Sequence, residues 1–346
     1  MTLKQRLRML RIKLGKWLLD STTSQAHPLR YEKVLFLRQD GKIGDYIVSS
    51  FVFREIKKQN PNAHIGVVCT PKNAFLFLHN PYIDQLHFVK KRNTLSFIQC
   101  GLALRKMQYD AVIDPTVVLR NRDLLLLRLA KAKVCIGYQK SDYRIFTHNV
   151  MQDNLHFSEI YRQSLQLLGF DKVDATYDIP FNAEVAEKVR LFLEQNSLTQ
   201  FIAVNFFGHG SNRRFQPEKI RALLNYLTTN SPQPILLLTY PEVTEQLKPL
   251  AGDYPSVFVD GRTDNIFYSI EYIRHCNLLI SPDTATIHIA AGLSKPTIAF
   301  YSDDQENFAH WHPNNSAETH IIRYHKNINE VQPEQISKEW LQINRC

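Results

Sequence analysis

The sequence predicts an α/β protein built from two doubly wound, Rossmann-like domains. Three observations carry this. Short apolar runs alternate with amphipathic helical patterns from residue 33 onward. The alternation breaks between residues 139 and 183 and then restarts. The length, 346 residues, suits two domains of ordinary size. Strands that alternate with helices form βαβ units and hence a parallel sheet. A boundary is expected near residue 180, with a cleft between the halves. The extents are 1–30 for an N-terminal extension and linker, 31–180 for the first domain and 181–346 for the second.

Residues 3–19 open the chain as one unit. Leu3, Leu7, Leu10, Leu14, Trp17 and Leu18 recur at helical spacing, and Lys4, Arg6, Arg8, Arg11, Lys13 and Lys16 fill most of the remainder. Such a basic amphipathic helix suits an anionic bilayer; packing on the protein's own core is the alternative. "DSTTSQAHP" then reads as a linker. In the first half "KVLFL", "HIGVVC", "QLHFV", "DAVID" and "VCIGY" read as buried strands. "YIVSSFVFREIKKQN" and "DLLLLRLAKA" are helices between them. "SDYRIFTHNVMQDNLHF" reads as irregular, "SEIYRQSLQLLGF" as a helix and "DATYDIPFNAE" as a connector. In the second half the strands are "FIAVNFF", "PILLLTY", "VFVD", "LLISP" and "TIAFY", with "PEKIRALLNYLTTN" and "NIFYSIEYIRHC" among the helices.

Composition narrows the class. The hydrophobic fraction is 44% and the charged fraction 22%, enough for a real core. No apolar run approaches the ~20 residues of a membrane-spanning helix, and the charged N-terminus lacks a secretory apolar stretch. A cytoplasmic location is expected, with the basic helix holding the protein at the periphery of a membrane. Cys69, Cys100, Cys135, Cys276 and Cys346 are odd in number and match no zinc spacing; the first four read as small core residues. The net charge is +9, and six basic residues against one acidic residue in the first twenty give +5 of it. That bias favours anionic partners.

Ligands of open α/β sheets bind beyond the C-terminal strand ends, and three such ends look chemical. In "RQDGKIGDYIVSS", Gly41 and Gly44 permit tight turns, a helix start suits an anion, and Asp45 is either a helix cap or a carboxylate able to act as general base. In "NFFGHGSNRRFQPEKI", small residues, Ser211, Arg213 and Arg214 precede a helix that begins near Pro217, a reasonable diphosphate cradle. It is neither a dinucleotide fingerprint nor a P-loop. In "SPDTATIHIAAGLSKPTIAFY", Asp283, Thr284 and Thr286 sit where strand meets helix, and His288, four residues after Thr284, shares its helix face. His288 could equally be a satisfied buried histidine. There is no GxSxG elbow and no DxD pair for a metal-bound diphosphate. "HWH" at 310–312 reads as a loop.

Together these stretches resemble glycosyltransferase family 9, the ADP-heptose:lipopolysaccharide heptosyltransferases. The resemblance rests on Gly44-Asp45 opening the first helix after "KVLFLRQDGKI" and, more specifically, on "DTATIHIAAGLSKPT", Asp283 to Thr297. "GRTDNIFYSIEYIRHCNLLISP" before it and "FYSDDQENFAHWHP" after it fit as well. The resemblance implies a GT-B fold, with the acceptor in the first domain and the nucleotide sugar in the second. It also implies an inverting transfer of heptose from ADP-heptose to the lipopolysaccharide inner core, without metal or other cofactor. By position Asp45 matches the catalytic base. Arg213 stands where many members place a lysine against the donor phosphates, and Asp283, Thr284 and His288 match the donor motif. Ser211, Arg214 and Thr286 are further donor-side candidates; Lys42 and Gly44 are acceptor-side candidates.

Some positions depart from the family pattern. Ala285 replaces the motif glycine, Gln39 and Asp40 replace small hydroxyl residues, and the extension of about 30 residues is unusual. Another nucleotide sugar on the same fold, or a non-catalytic sugar-nucleotide or lipopolysaccharide-binding protein, are the alternatives. Nucleic acid is not an expected partner.

Overall fold

The computed structural model describes residues 3–22, 31–39 and 41–342; Asp40, the linker from residue 23 to 30 and Cys346 lie outside them. The chain divides into two compact units, residues 1–176 and 177–346.

The first unit begins with helix α1 (Leu3–Leu19), described as backbone at Leu3 and Leu7, whose side chains fall outside the described residues. It continues β1 (Lys33–Leu37), α2 (Ile43–Ser49), α3 (Phe51–Gln59), β2 (His64–Cys69), α4 (Ala74–Leu78), β3 (Gln85–Phe88) and α5 (Thr94–Met107). After these come β4 (Ala111–Asp114), α6 (Asn121–Ala130), β5 (Val134–Tyr138), β6 (His148–Val150) and α7 (Phe157–Leu167). The second unit runs α8 (Ala183–Gln195), β7 (Ile202–Val204), α9 (Pro217–Asn230), β8 (Ile235–Leu237), α10 (Pro241–Gly252), β9 (Val257–Val259) and α11 (Ile266–His275). It closes with β10 (Leu278–Pro282), α12 (Ala285–Gly292), β11 (Thr297–Ser302), α13 (Gln305–Trp311) and β12 (Thr319–Tyr324).

Both sheets are parallel, ordered β3-β2-β1-β4-β5-β6 and β12-β11-β10-β7-β8-β9. Each has the strand order of a Rossmann sheet, so each has one place where the order reverses: between β1 and β4, and between β7 and β10. Strands such as "VLFL" and "VCIGY" are apolar throughout because helices cover both faces. Leu35, Val68, Val112 and Cys135 meet in the first core; Phe206, Phe215 and Phe300 meet edge-to-face in the second.

Four expectations are corrected. The helix read as one piece from residue 46 to 60 breaks at Ser50, because Ser49 and Ser50 turn their hydroxyls onto the carbonyls of Asp45, Tyr46 and Ile47 at 2.7–3.1 Å. The stretch read as irregular contains β6, a three-residue edge strand whose His148 and Asn149 are only half buried and so carry no apolar signal. The connector ends early, at Asn182, whose side chain accepts from Val185 N and caps α8. "HWH" is not a loop: His310 and Trp311 finish α13, and His312 is its C-cap.

Candidate functional site

In the first unit, Arg38 follows β1 into a buried position. Its guanidinium donates to the Tyr161 hydroxyl on α7, and its carbonyl accepts from Asn73 Nδ2 at 2.8 Å. Gln39 Nε2 then reaches Asp123 Oδ1 on α6 at 2.9 Å. Gly41 takes φ +79°, a left-handed conformation that other residues adopt at a cost. Gly44 lies inside the first turn of α2. Lys42, exposed, is the N-cap residue of α2, so Asp45 is not. Asp45 sits in the first turn, where a carboxylate complements the helix dipole, with its side chain 17% exposed and Lys42 Nζ 4.0 Å away.

Beneath this loop lies a charged cluster that carried no recognised motif. Asp114 at the end of β4 and Lys140 past the end of β5 are both buried; Lys140 Nζ donates to the Asp114 carbonyl at 2.8 Å and stands 3.5 Å from its carboxylate. Burial pulls the Lys140 ammonium below its ordinary value, against the opposing pull of Asp114. Burial, and then the charge of Asp114, raises Asp123. The signal available beforehand was a polar residue at each strand end, "DAVIDP" and "GYQK".

In the second unit the chain leaves β7 at Asn205, crosses Gly208 and Gly210, makes one 3₁₀ turn over Ser211–Arg213 and returns, with Phe207 bridging Arg214. A Cβ at Gly208 would lie 2.6 Å from Arg213 Cβ and 2.8 Å from Arg213 O, so the loop closes this tightly only on glycine. Gly210 has φ +98°. The two arginines diverge. Arg213 Nη1 meets Asp283 Oδ2 at 2.8 Å, while the Arg214 guanidinium lies 5.0 Å over the Phe207 ring. Ser211, at the head of the turn, is exposed.

Asp283, just past β10, also accepts from Asn307 Nδ2 on α13 at 2.9 Å. Thr284 is the N-cap residue of α12, and its hydroxyl is 2.7 Å from that of Thr286, which is 2.7 Å from that of Ser281. Asn205 Nδ2 spans all three hydroxyls at 3.2–3.4 Å. His288 is buried one turn on, its ring 5.7 Å from Trp311; burial, reinforced by His312, lowers it to about 4, so it is a neutral imidazole at neutral pH. Ala285 is an ordinary first helical residue, which explains why no glycine is required there.

The structure thus places two hydrogen-bonded sets side by side, Arg213–Asp283–Asn307 and Thr284–Thr286–Ser281–Asn205, which meet where Asp283 leads into Thr284, with His288 on the same helix as Thr286. Asn307 in the first set, and Asn205 and Ser281 in the second, were not singled out by sequence, because a lone Asn or Ser at a strand end or on a helix carries no signal of its own. Among the described residues no group of three or more His, Cys, Asp or Glu side chains is placed to hold a metal ion. Cys69, Cys100, Cys135 and Cys276 are buried and unbridged, and burial pushes their thiols up to about 12, which leaves them inert as nucleophiles.

Two Rossmann sheets, each with polar side chains gathered at its switch point, are the frame of the GT-B fold. Solved structures share the fold. The glycosyl transferase family 9 protein of Veillonella parvula has a TM-score of 0.72 at 19% identity, covering 92% of this chain and 99% of that one. The Escherichia coli heptosyltransferase WaaC with ADP-2-deoxy-2-fluoro heptose has 0.64 at 16%, covering 90% and 98%. In sequence, a protein of Escherichia coli (strain K12) provisionally named lipopolysaccharide heptosyltransferase 4 is 24% identical over 323 residues, 88% of this chain and 83% of its own length. Residues 98–341 match glycosyltransferase family 9 (heptosyltransferase), and the chain belongs to that family.

Proposed function

We propose that the enzyme transfers a heptose from ADP-heptose to the inner core of lipopolysaccharide, with inversion and without a metal. The observation that carries the reading is the Arg213–Asp283 pair beside the Thr284–Thr286 hydroxyls at the switch point of the second sheet, in a family whose related proteins bear lipopolysaccharide heptosyltransferase names. WaaC, which shares the fold, is described with an ADP-heptose analogue.

In this reading an acceptor hydroxyl attacks the anomeric carbon as the bond to the diphosphate breaks. Sugar hydroxyls scarcely ionise at neutral pH, so a base takes the proton during attack; the Asp45 carboxylate has that role. The departing diphosphate gains negative charge, which Arg213 and the N–H groups at the start of α12 stabilise, with Arg214 and Ser211 as outer contacts. The Asp283 carboxylate would repel a diphosphate directly. In this reading it aims Arg213, which its 2.8 Å contact supports, or accepts from sugar hydroxyls. Lys42 lies on the acceptor side and attracts an anionic, phosphorylated core. The helix over residues 3–19 contacts the anionic inner face of the membrane in which that acceptor is held.

The test is transfer by purified protein across ADP-, UDP- and GDP-sugars with a soluble core acceptor. Transfer from ADP-heptose alone supports the reading. Transfer only from another nucleotide sugar replaces the donor, and binding of nucleotide without turnover replaces the enzyme by a binding protein.

A further inference from the structure

Helix α1 is not a loose tail. Asn121 Nδ2, on the first residue of α6, donates to Arg11 O at 2.8 Å, and Arg128 Nη1 donates to Leu18 O at 2.8 Å. The contacts are seven residues apart on both helices and in the same order, so α1 runs parallel to α6 in a fixed register. Gly15 faces the seat: a Cβ there would come within 2.1 Å of Asn121 Nδ2. Lys16 Nζ lies 4.5 Å over the Tyr143 ring, and buried Asp20 ends the helix by accepting from Arg144 N and Ile145 N, both at 3.0 Å.

Seating leaves the apolar stripe outside. Leu10, Leu14, Trp17 and Leu18 are 64%, 54%, 76% and 53% exposed. Their i, i+4, i+7, i+8 spacing makes one face. Arg6, Arg11 and Lys13 are exposed beside it. No helix of the described residues is long and apolar enough to cross a membrane; an exposed apolar face flanked by cations suits the surface of a bilayer.

The register also gives direction. α6 starts at the edge where β4 ends, which is the edge where β1 delivers the loop to Asp45. Because Arg11 is level with Asn121, residues 3–10 run past that edge by roughly 12 Å at 1.5 Å per residue. The first turn of α6 therefore holds α1 through Asn121 and the Asp45 loop through Asp123 and Gln39.

Resting on the membrane contact proposed above, we infer that α1 is a rigid docking helix: its register on α6 lays the Asp45 edge of the first unit against an anionic bilayer. The occupant is lipid rather than protein because the first twenty residues carry six basic residues against one acidic. Each cation near an anionic surface contributes comparably to a buried methylene.

The experiment uses the full chain with vesicles of phosphatidylcholine plus phosphatidylglycerol, and with phosphatidylcholine alone. Wild type is expected to sediment with the anionic vesicles and to be released by salt. The double variant Leu14→Ser/Trp17→Ser should lose about tenfold or more in vesicle affinity while keeping its rate on a soluble acceptor fragment. Gly15→Leu and the milder Asn121→Ala should still sediment, keep the soluble rate, and lose several-fold of the rate on vesicle-embedded acceptor. If the stripe variant sediments like wild type, the membrane contact itself fails. If the register variants act on embedded acceptor as well as wild type does, α1 is only a tether and this inference falls alone. If wild type ignores vesicles but forms a dimer that the stripe variant dissociates, a second copy covers the stripe and both fall. Sedimentation is independent of which sugar is transferred, so it stands apart from the donor assay.

Discussion

Replacing Arg213 by Ala removes the cation assigned to the donor diphosphate and exposes the logic of its pairing with Asp283. The Arg213 side chain is 25% exposed and that of Asp283 7%, with 2.8 Å between Nη1 and Oδ2. A hydrogen bond to a charged group is worth about 1.5–3 kcal/mol, so ADP affinity should fall roughly 10- to 150-fold. The variant also leaves a nearly buried carboxylate with Asn307 still donating to it. That carboxylate now repels the diphosphate uncompensated, so the double variant Arg213→Ala/Asp283→Asn should recover part of the loss. A coupling of about 1 kcal/mol is expected for groups in direct contact. Arg213→Lys should fall between, since it keeps the charge but loses the planar fork. Calorimetry with ADP on the three variants and wild type measures all of this, with melting curves to confirm folding. Unchanged ADP affinity in a folded Arg213→Ala protein would refute the reasoning and move the diphosphate elsewhere, with Arg214 the next residue to test.

Asp45→Asn should keep the fold and ADP binding while lowering kcat by about 10²–10⁴-fold; near-wild-type turnover at saturating acceptor would reduce Asp45 to a residue that serves the α2 dipole. Gly208→Ala forces a methyl to within 2.6 Å of Arg213 Cβ, so it should displace the loop, cost about 1–3 kcal/mol in stability and weaken ADP binding, read by urea midpoints and calorimetry; tight ADP binding in this variant would show that the loop's closure is incidental. His288 is held at about 4, below the ordinary 6.5. The unfolded chain therefore binds more protons between those values, and the stability this group contributes is complete above about pH 6.5 and is lost as pH falls toward 4. The loss is on the order of 3 kcal/mol. Urea midpoints from pH 7.5 to 4.5 should thus fall more steeply for wild type than for His288→Gln; parallel curves would mean that His288 is solvated and protonates freely.

Much of this molecule is written locally. Apolar runs of strand length between helical periods required βαβ units, and the pause from residue 139 to 183 signalled two series of them, because neither pattern depends on distant contacts. The ends of β1 and β10, and the loop after β7, were recognisable by residues that a plain turn does not need. Tertiary structure decided what those residues do to one another. Two adjacent arginines looked equivalent in "NRRF", yet only Arg213 turns onto Asp283, because the Gly208 and Gly210 loop fixes which way each side chain leaves. Asn205 and Ser281, 76 residues apart, meet only because β7 and β10 are neighbours. The amphipathic period of α1 was equally legible, but period alone does not say which face is covered. The seat of Gly15 on Asn121 turned the backbone side inward and left Leu10, Leu14, Trp17 and Leu18 in solvent.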